Sequence, residues 1–444
     1  MGEDYSIVII PKKLLRDVIV MAKKYVIIGG GPAGAIAAEK LRILDPFGSV
    51  NLISTENYVY YKRKKIINLI SNSCSVEDLF AKGDDFYEKF NINFYHGRVI
   101  RVDSDENQVI LEDNSKLSYD FLLIATGGSP ISLPLEGADL KGINTIYTIE
   151  QAKKIAEQVC NVKNAVIIGG GSIAMKLVKN FLKLGLKVTI IEKSSHLWPI
   201  GFDRKISRIF EKEFIDRNIE LFFNDEVQKF NGTDGKLSSI TLKSSREIPC
   251  DIAIITIGTR PNIDFLKGTK VNLDRGIIVD KFLRTNIPNI FAAGDVAQIE
   301  DPLYEKPTLH PTWQNAKKQG KISAENMTGQ KLEYKGTIPI QTIKGFGFQA
   351  IAVGITHSKK SYDEISYVSF QNKFCRKFVI DKDNLIGVLI LGKNIDKKKI
   401  KPLIQKAVFN KVNIKRYKTE ILNDNFDFNK LLGLSQGMNL NIIS

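Results

Sequence analysis

A chain of 444 residues exceeds a single hydrophobic core, and 43% hydrophobic with 25% charged residues excludes disordered and fibrous classes. The formal charge of +15 suits an acidic partner, whether a protein, an anionic surface or phosphorylated cofactors, and no Cys/His spacing or recognition helix supports a nucleic-acid module. No apolar run approaches the roughly 20 residues of a membrane span, which predicts a soluble chain with no transmembrane segment.

Residues 1–20 carry mixed charges and no cleavage-site pattern, so 1–22 read as an N-terminal extension with Met21 as an alternative start. The β-branched run 25–28 predicts a strand, and it ends at Gly29-Gly30-Gly31-Pro32-Ala33-Gly34 before a helical pattern over 35–44. In a strand–turn–helix of this kind Gly29 permits the tight turn, Gly31 lets the backbone approach a pyrophosphate, and Gly34 lets helix pack on strand. The helix N-terminus attracts the phosphate charge. A second strand over 49–53 leads to Glu56, placed to accept hydrogen bonds from both ribose hydroxyls of an adenosine.

The pattern then repeats. Residues 164–168 lead into Gly169-Gly170-Gly171-Ser172-Ile173-Ala174, a helix runs to Leu184, Gly185 breaks it, and a strand over 187–191 ends at Glu192. Alanine at the third glycine position is a permitted variant, and two complete βαβ fingerprints imply two dinucleotide sites. Further on, 346–355, 377–380 and 385–391 read as strands, with a polar turn at Asp381-Lys382-Asp383-Asn384; from Tyr417 onward the Asn- and Leu-rich sequence carries no motif.

The four cysteines, Cys74, Cys160, Cys250 and Cys375, form no CxxC or CxxxxC pair. This excludes a local dithiol, argues against a cysteine-ligated metal, and suits a reducing cytoplasm.

Besides the fingerprints, the chain contains Tyr119-Asp120-Phe121-Leu122-Leu123-Ile124-Ala125-Thr126-Gly127, then Gly258-Thr259-Arg260-Pro261-Asn262, then Asn289-Ile290-Phe291-Ala292-Ala293-Gly294-Asp295. In this order they resemble the pyridine nucleotide:flavin oxidoreductases, and within them the rubredoxin reductase, ferredoxin reductase and NADH oxidase branch. The resemblance covers about 23–329 and continues loosely to about 392. It implies an α/β fold of two Rossmann-like domains, for FAD and NAD(P)H, plus a C-terminal α+β interface domain. The boundaries it implies are 23–145 and 271–330 for FAD, 146–270 for NAD(P)H, and 331–444 for an interface domain that supports a homodimer.

For FAD the resemblance implies contacts from Gly29, Gly31, Pro32, Ala33, Gly34, Glu56, Ala125, Thr126, Gly127, Gly294, Asp295 and Ala316. Asp295 would take the ribitol hydroxyls, and Arg63, in a loop over 56–63, would approach the pyrophosphate. For NADH, with NADPH possible, it implies Gly169, Gly171, Ser172, Ile173, Glu192 and Gly258. The run Thr308-Leu309-His310-Pro311-Thr312-Trp313-Gln314-Asn315-Ala316 resembles the segment whose helix N-terminus faces the pyrimidine side of the flavin. There His310 reads as a structural or solvent-facing histidine, with proton donation as the alternative, and Trp313 as packing.

Departures from the family pattern select the reaction. Disulfide reductases of the group carry a CxxxxC after the first fold, and the oxidases carry one cysteine near where Tyr61 and Lys62 stand; neither is present. Lys176 replaces a glutamate that many relatives carry on the second-fold helix near the nicotinamide, and Ser172 stands where some have a gating tyrosine. Electrons are therefore expected to leave the flavin directly, for an external acidic carrier of the rubredoxin or ferredoxin kind. The alternatives are a quinone-reducing dehydrogenase, whose membrane anchor would have to come from the weakly patterned residues 431–444, the flavin subunit of a larger dehydrogenase complex, and a non-enzymatic NADH sensor.

Overall fold

The structure is a computed structural model describing residues 22–301, 303, 304, 306–357, 362–393 and 395–433. The N-terminal extension and Met21 lie outside the described residues, as does 434–444 of the candidate anchor. The protein is α/β and divides into two compact units.

The first unit is assembled from three stretches of chain, ending at Tyr61, running from Phe80 to Gly128, and running from Pro261 to Gly336. Its centre is a five-stranded parallel sheet in the order Ile290–Ala292, Phe121–Ile124, Lys24–Ile28, Ser49–Ser54, Asn93–His96. Val26, Ile27, Leu52, Leu122 and Leu123 are fully buried, so both faces of the sheet are covered and these strands read as continuous apolar runs without alternation. Helices Pro32–Leu44 and Trp313–Met327 pack against each other. Their close approach depends on Gly320: a Cβ there would lie 2.2 Å from the Ala33 carbonyl oxygen. A three-stranded antiparallel sheet and a hairpin of Ala297–Asp301 with Lys306–Leu309 complete the unit.

The second unit comprises Lys62–Leu79, Ser129–Arg260 and the chain from Thr337 onward. It repeats the parallel design in the order Glu220–Phe223, Lys187–Glu192, Asn164–Ile168, Ile252–Ile255, Ile143–Thr145. The helix entering this sheet, Ile149–Val159, carries a reciprocal cap: the Thr148 side chain accepts from the Gln151 N–H, and the Gln151 side chain accepts from the Thr148 N–H.

The C-terminal part of this unit is a five-stranded antiparallel sheet in the order Ile340–Gly345, Phe348–Gly354, Asn384–Gly392, Phe374–Asp381, Asp363–Ser369, against which helix Lys397–Phe409 packs. The strand expected from 346 starts at Phe348, because Phe346 (φ 54°) and Gly347 (φ 82°) form a left-handed turn to the preceding strand. Lys377 lies inside this sheet with only 2% of its side chain exposed, paired to Asp203 (3.0 Å) and Glu364 (2.9 Å). No helix among the described residues is long and apolar enough to cross a membrane.

Candidate functional site

The first glycine turn divides its labour among three residues. Gly29 has φ +116°, and a Cβ on it would lie 2.1 Å from the Ala125 carbonyl oxygen, so the turn passes directly over the 125–127 backbone. A Cβ on Gly34 would lie 1.9 Å from the Gly29 carbonyl oxygen, which fixes how closely helix meets turn. A Cβ on Gly31 would meet nothing within 4 Å. Gly31 is also the N-cap of helix Pro32–Leu44, which has neither a side-chain cap nor an acidic residue in its first turn. Pro32 fills the first helical position, and the amides of Ala33 and Gly34 have no intrahelical carbonyl to donate to. Open space in front of free amides at the positive end of a helix fits a diphosphate.

Other segments converge on this turn. Ala125 N–H donates to the Ile28 carbonyl (2.8 Å), while Thr126 Oγ1 donates to the Asn262 carbonyl (2.7 Å) and Asn262 Nδ2 donates back to the Thr126 carbonyl (3.0 Å), anchoring Ala125-Thr126-Gly127. Gly294 sits beside Ala33 and Ala316, whose Cβ atoms would lie 3.3 and 3.6 Å from a Cβ on it, and Asp295 follows half-buried. The Gly294 N–H donates to Gln319 Oε1 (2.7 Å), whereas Gln319 Nε2 is buried with no hydrogen-bond partner among the described residues. Buried polar atoms normally find a partner, so this orphan beside Gly294 fits a site that a polar ligand completes. Glu56 is half-buried just past strand Ser49–Ser54, its Oε2 accepting from the Tyr61 hydroxyl (2.6 Å).

Arg63 stands apart from this set. It belongs to the second unit, where its guanidinium lies 4.3 Å from the Tyr147 ring centre and donates to the Tyr147 carbonyl.

His310 is buried in the first unit, its Nε2 paired to Asp301 Oδ2, and its carbonyl accepts from Asn315 Nδ2 (2.9 Å) in the first turn of helix Trp313–Met327. Burial pushes the Asp301 carboxyl up, but His310 and the N–H groups of Tyr304 and Leu303 outweigh it and hold the group below the ordinary carboxylate range. Sequence reading singled out His310 and missed Asp301, nine positions before it, because only the folded chain brings the two side chains together. Trp313 stacks on Tyr60 with ring centres 6.4 Å apart, as packing.

The second turn repeats the geometry. Gly169 has φ +99°, and a Cβ on Gly171 would meet nothing within 4 Å. Helix Ser172–Lys183 begins with no side-chain cap, leaving the amides of Ser172 and Ile173 at its open end. Glu192, 8% exposed, accepts from the Gly170 N–H (2.6 Å) at Oε2 and from the Ser194 N–H (2.7 Å) at Oε1, which holds its carboxylate at the edge of the turn. Gly258 (φ +121°) follows strand Ile252–Ile255 and accepts from the Ile131 N–H (3.0 Å). Lys176 is half-buried one turn into the helix, and burial, then Lys64, lowers its pKa from the ordinary lysine value.

All four cysteines are unpaired thiols. Burial pushes Cys375 up to about 12 and raises Cys250 further, Cys74 is raised by burial and Asp78, and Cys160 is exposed. Among the described residues no group of His, Cys, Asp and Glu could hold a metal ion.

Residues 23–320 match the model of a family described as pyridine nucleotide-disulphide oxidoreductase. The assimilatory nitrate reductase electron transfer subunit of Bacillus subtilis (strain 168) is 27% identical over 381 residues, covering 85% of this chain and 48% of that protein, so the chain spans about half the relative's length. Rhodocoxin reductase of Rhodococcus erythropolis is 30% identical over 312 residues, covering 70% of this chain and 73% of the relative. The reductase chain of a covalent putidaredoxin reductase–putidaredoxin complex superposes with a TM-score of 0.85 at 21% identity, covering 94% and 99% of the two chains. The chain therefore belongs to the pyridine nucleotide-disulphide oxidoreductase family.

Proposed function

We propose that this oxidoreductase passes electrons from NADH through FAD to an external one-electron acceptor, an acidic iron–sulfur carrier of the rubredoxin or ferredoxin kind, with no cysteine on the path. The observation that carries this reading is the state of the thiols: the two most buried, Cys250 and Cys375, are held protonated by burial, and none of the four is joined in a disulfide. Bound FAD supplies the passage from a two-electron donor to a one-electron acceptor. Gly31 and the amides of Ala33 and Gly34 would hold its diphosphate, Glu56 the adenosine ribose, and Asp295 the ribitol, with Ala125-Thr126-Gly127, Gly294 and Ala316 lining the approach. Gly171, Ser172 and Ile173 would do the same for NADH, and Gly258 would border that site. Arg63 is assigned to the pyrophosphate only by the resemblance. The C-terminal sheet is assigned to an interface between two copies of the chain.

A second reading, the flavin-bearing electron-transfer part of a larger assembly, is favoured by the 48% share of the nitrate reductase electron transfer subunit that this chain spans. An anaerobic screen of the NADH-reduced protein against carrier proteins, quinones and viologen dyes separates the two. Rapid oxidation by a rubredoxin- or ferredoxin-like protein that slows as salt rises supports the first reading, because charge steering is screened over roughly 8 Å at physiological ionic strength. Reduction by neither dinucleotide supports the second.

NADH should reduce the flavin faster than NADPH, on the order of tenfold at equal low concentration, because the fixed Glu192 carboxylate accepts from ribose hydroxyls and repels a 2′-phosphate. Lys193 does not offset this charge, since its ammonium is turned to Glu226 Oε2 (3.1 Å). Stopped-flow traces for both dinucleotides, with Glu192→Gln narrowing the gap, check it; a faster NADPH phase contradicts it. Replacing all four cysteines by serine or alanine should leave flavin reduction and acceptor turnover within about twofold in any variant that folds. One cysteine whose loss stops acceptor reduction while flavin reduction stays fast would place sulfur on the path.

A further inference from the structure

The loop that joins strand Lys187–Glu192 to helix Arg204–Ile215 folds back onto the second glycine turn. Gly170 is gripped on both sides of its Cα: its N–H donates to Glu192 Oε2 (2.6 Å), and its carbonyl accepts from the Trp198 N–H (2.9 Å). Leu197 closes the contact, since a Cβ on Gly170 would lie 2.9 Å from its Cδ2. In a planar trans peptide the carbonyl of one residue and the N–H of the next point in opposite directions. Holding the Gly170 carbonyl against the loop therefore turns the Gly171 N–H away from the loop, and no group of the described residues accepts from it. The first turn lacks this grip: among the described residues nothing donates to the Gly30 carbonyl.

Trp198 makes its bond under strain. Its φ is +50°, a left-handed conformation that bulky L side chains rarely adopt, and its buried indole Nε1 has no hydrogen-bond partner among the described residues. Packing within the second unit holds it there. The Trp198 carbonyl accepts from the Gly201 and Phe202 N–H groups (both 2.9 Å), and the indole lies on Gly201, where a Cβ would come within 2.5 Å of the ring. From the indole a row of aromatic contacts runs to the C-terminal sheet: Phe202 (4.6 Å between ring centres), then Phe210 of helix Arg204–Ile215 (4.9 Å), then Phe348 (4.7 Å). Thr356 Oγ1, just past strand Phe348–Gly354, donates to the Gly201 carbonyl (3.2 Å). Strained backbone of this kind persists only where its surroundings over-determine it, and it clusters at functional sites.

We propose that Trp198 is a positioning residue for the dinucleotide: seated by the C-terminal sheet, it sets the Gly170–Gly171 peptide, before any ligand arrives, in the orientation that receives the diphosphate. This inference rests on the reading of the second turn as the NADH site. A turn already set needs no ordering when the ligand binds, so the gain is in affinity. The hydride step in the filled site does not depend on it.

The test is calorimetric titration of NAD⁺ into the FAD-loaded full chain, paired with stopped-flow reduction of the flavin at saturating NADH. W198A keeps the left-handed strain and loses the seat, so NAD⁺ binding should weaken on the order of tenfold. W198G relieves the strain, because glycine takes a positive φ freely, and should weaken binding less. Gly201→Ala, which drives the indole off its seat with Trp198 unchanged, should weaken binding as W198A does, and it carries the test should W198A not fold. W198F, which keeps an aromatic seat, should bind within about twofold of wild type, and the limiting rate of flavin reduction should stay within about twofold in every variant. A ring that merely fills space would make W198G the weakest binder of the series, since it leaves the largest cavity. Wild-type affinity in W198A and Gly201→Ala, W198G weaker than W198A, or a limiting rate that falls with affinity would overturn the proposal. A wild-type chain that binds neither NAD⁺ nor NADP⁺ would instead overturn the reading of the second turn on which it rests.

Discussion

Gly31→Ala should fold normally and purify without flavin, whereas Gly34→Ala should yield little folded protein. The two substitutions add the same methyl group three residues apart. At Gly34 it would lie 1.9 Å from the Gly29 carbonyl oxygen, and backbone cannot yield as a flexible side chain can, so the expected cost is about 3 kcal/mol or more. At Gly31 it meets no protein atom within 4 Å, and the backbone there (φ −73°, ψ −171°) is extended and open to any residue. The methyl would instead occupy the space in front of the helix N-terminus. Loss of close phosphate approach should weaken FAD by about 3 kcal/mol, on the order of a hundredfold in Kd. Flavin absorbance per protein and a thermal melt of the apoprotein separate the two outcomes. An unaltered flavin content in Gly31→Ala would remove the diphosphate from that space. Gly171→Ala should keep the flavin and lose its reduction by NADH.

The second large effect concerns stability. Lys377→Ala should destabilise the second unit by about 3–5 kcal/mol in urea unfolding, since it removes the ammonium that stands between Asp203 and Glu364 inside the sheet. Asp203 is also the N-cap of helix Arg204–Ile215, accepting from the Ile206 N–H (3.0 Å). Burial pushes its carboxyl up, but the Ile206 N–H and Lys377 hold it below the ordinary aspartate value, so its contribution is present above that value and is lost as pH falls through the lowered one. Burial pushes Lys377 down, but Glu364 and Asp203 hold it above the ordinary lysine value; its contribution is complete below that value and is lost as pH rises through the raised one. The wild-type stability profile should therefore fall at both ends, and Lys377→Ala should flatten both. A variant as stable as wild type across pH would show that the ion pairs contribute nothing net.

Both glycine turns were legible because their jobs are local: a left-handed residue, a close helix, an open N-terminus, each tied to one position. The parallel strands were legible because burial on both faces leaves unbroken apolar runs. The C-terminal sheet was legible only in part. Strands Ile340–Gly345 and Asp363–Ser369 were missed, and these are its two edges, half solvated and lacking a continuous apolar signal. The burial of Lys377 was not legible, since nothing in its own strand announces that Asp203, 174 positions earlier, will neutralise it. The Asp301 partner of His310 was hidden for the same reason: the pair needs the folded chain to bring it together.

The three-part construction of the first unit has a consequence for how the protein is made. Its sheet is closed on one side by Ile290–Ala292, which pairs with Phe121–Ile124, and the same strand delivers Gly294 and Asp295. A ribosome must therefore synthesise the whole second nucleotide fold, Ser129–Arg260, before the first can be finished. Contacts so distant in sequence are slow to form, and until they do the unpaired edge of Phe121–Ile124 is open to mispairing. The second fold should thus mature first, and flavin capture should mark the end of folding.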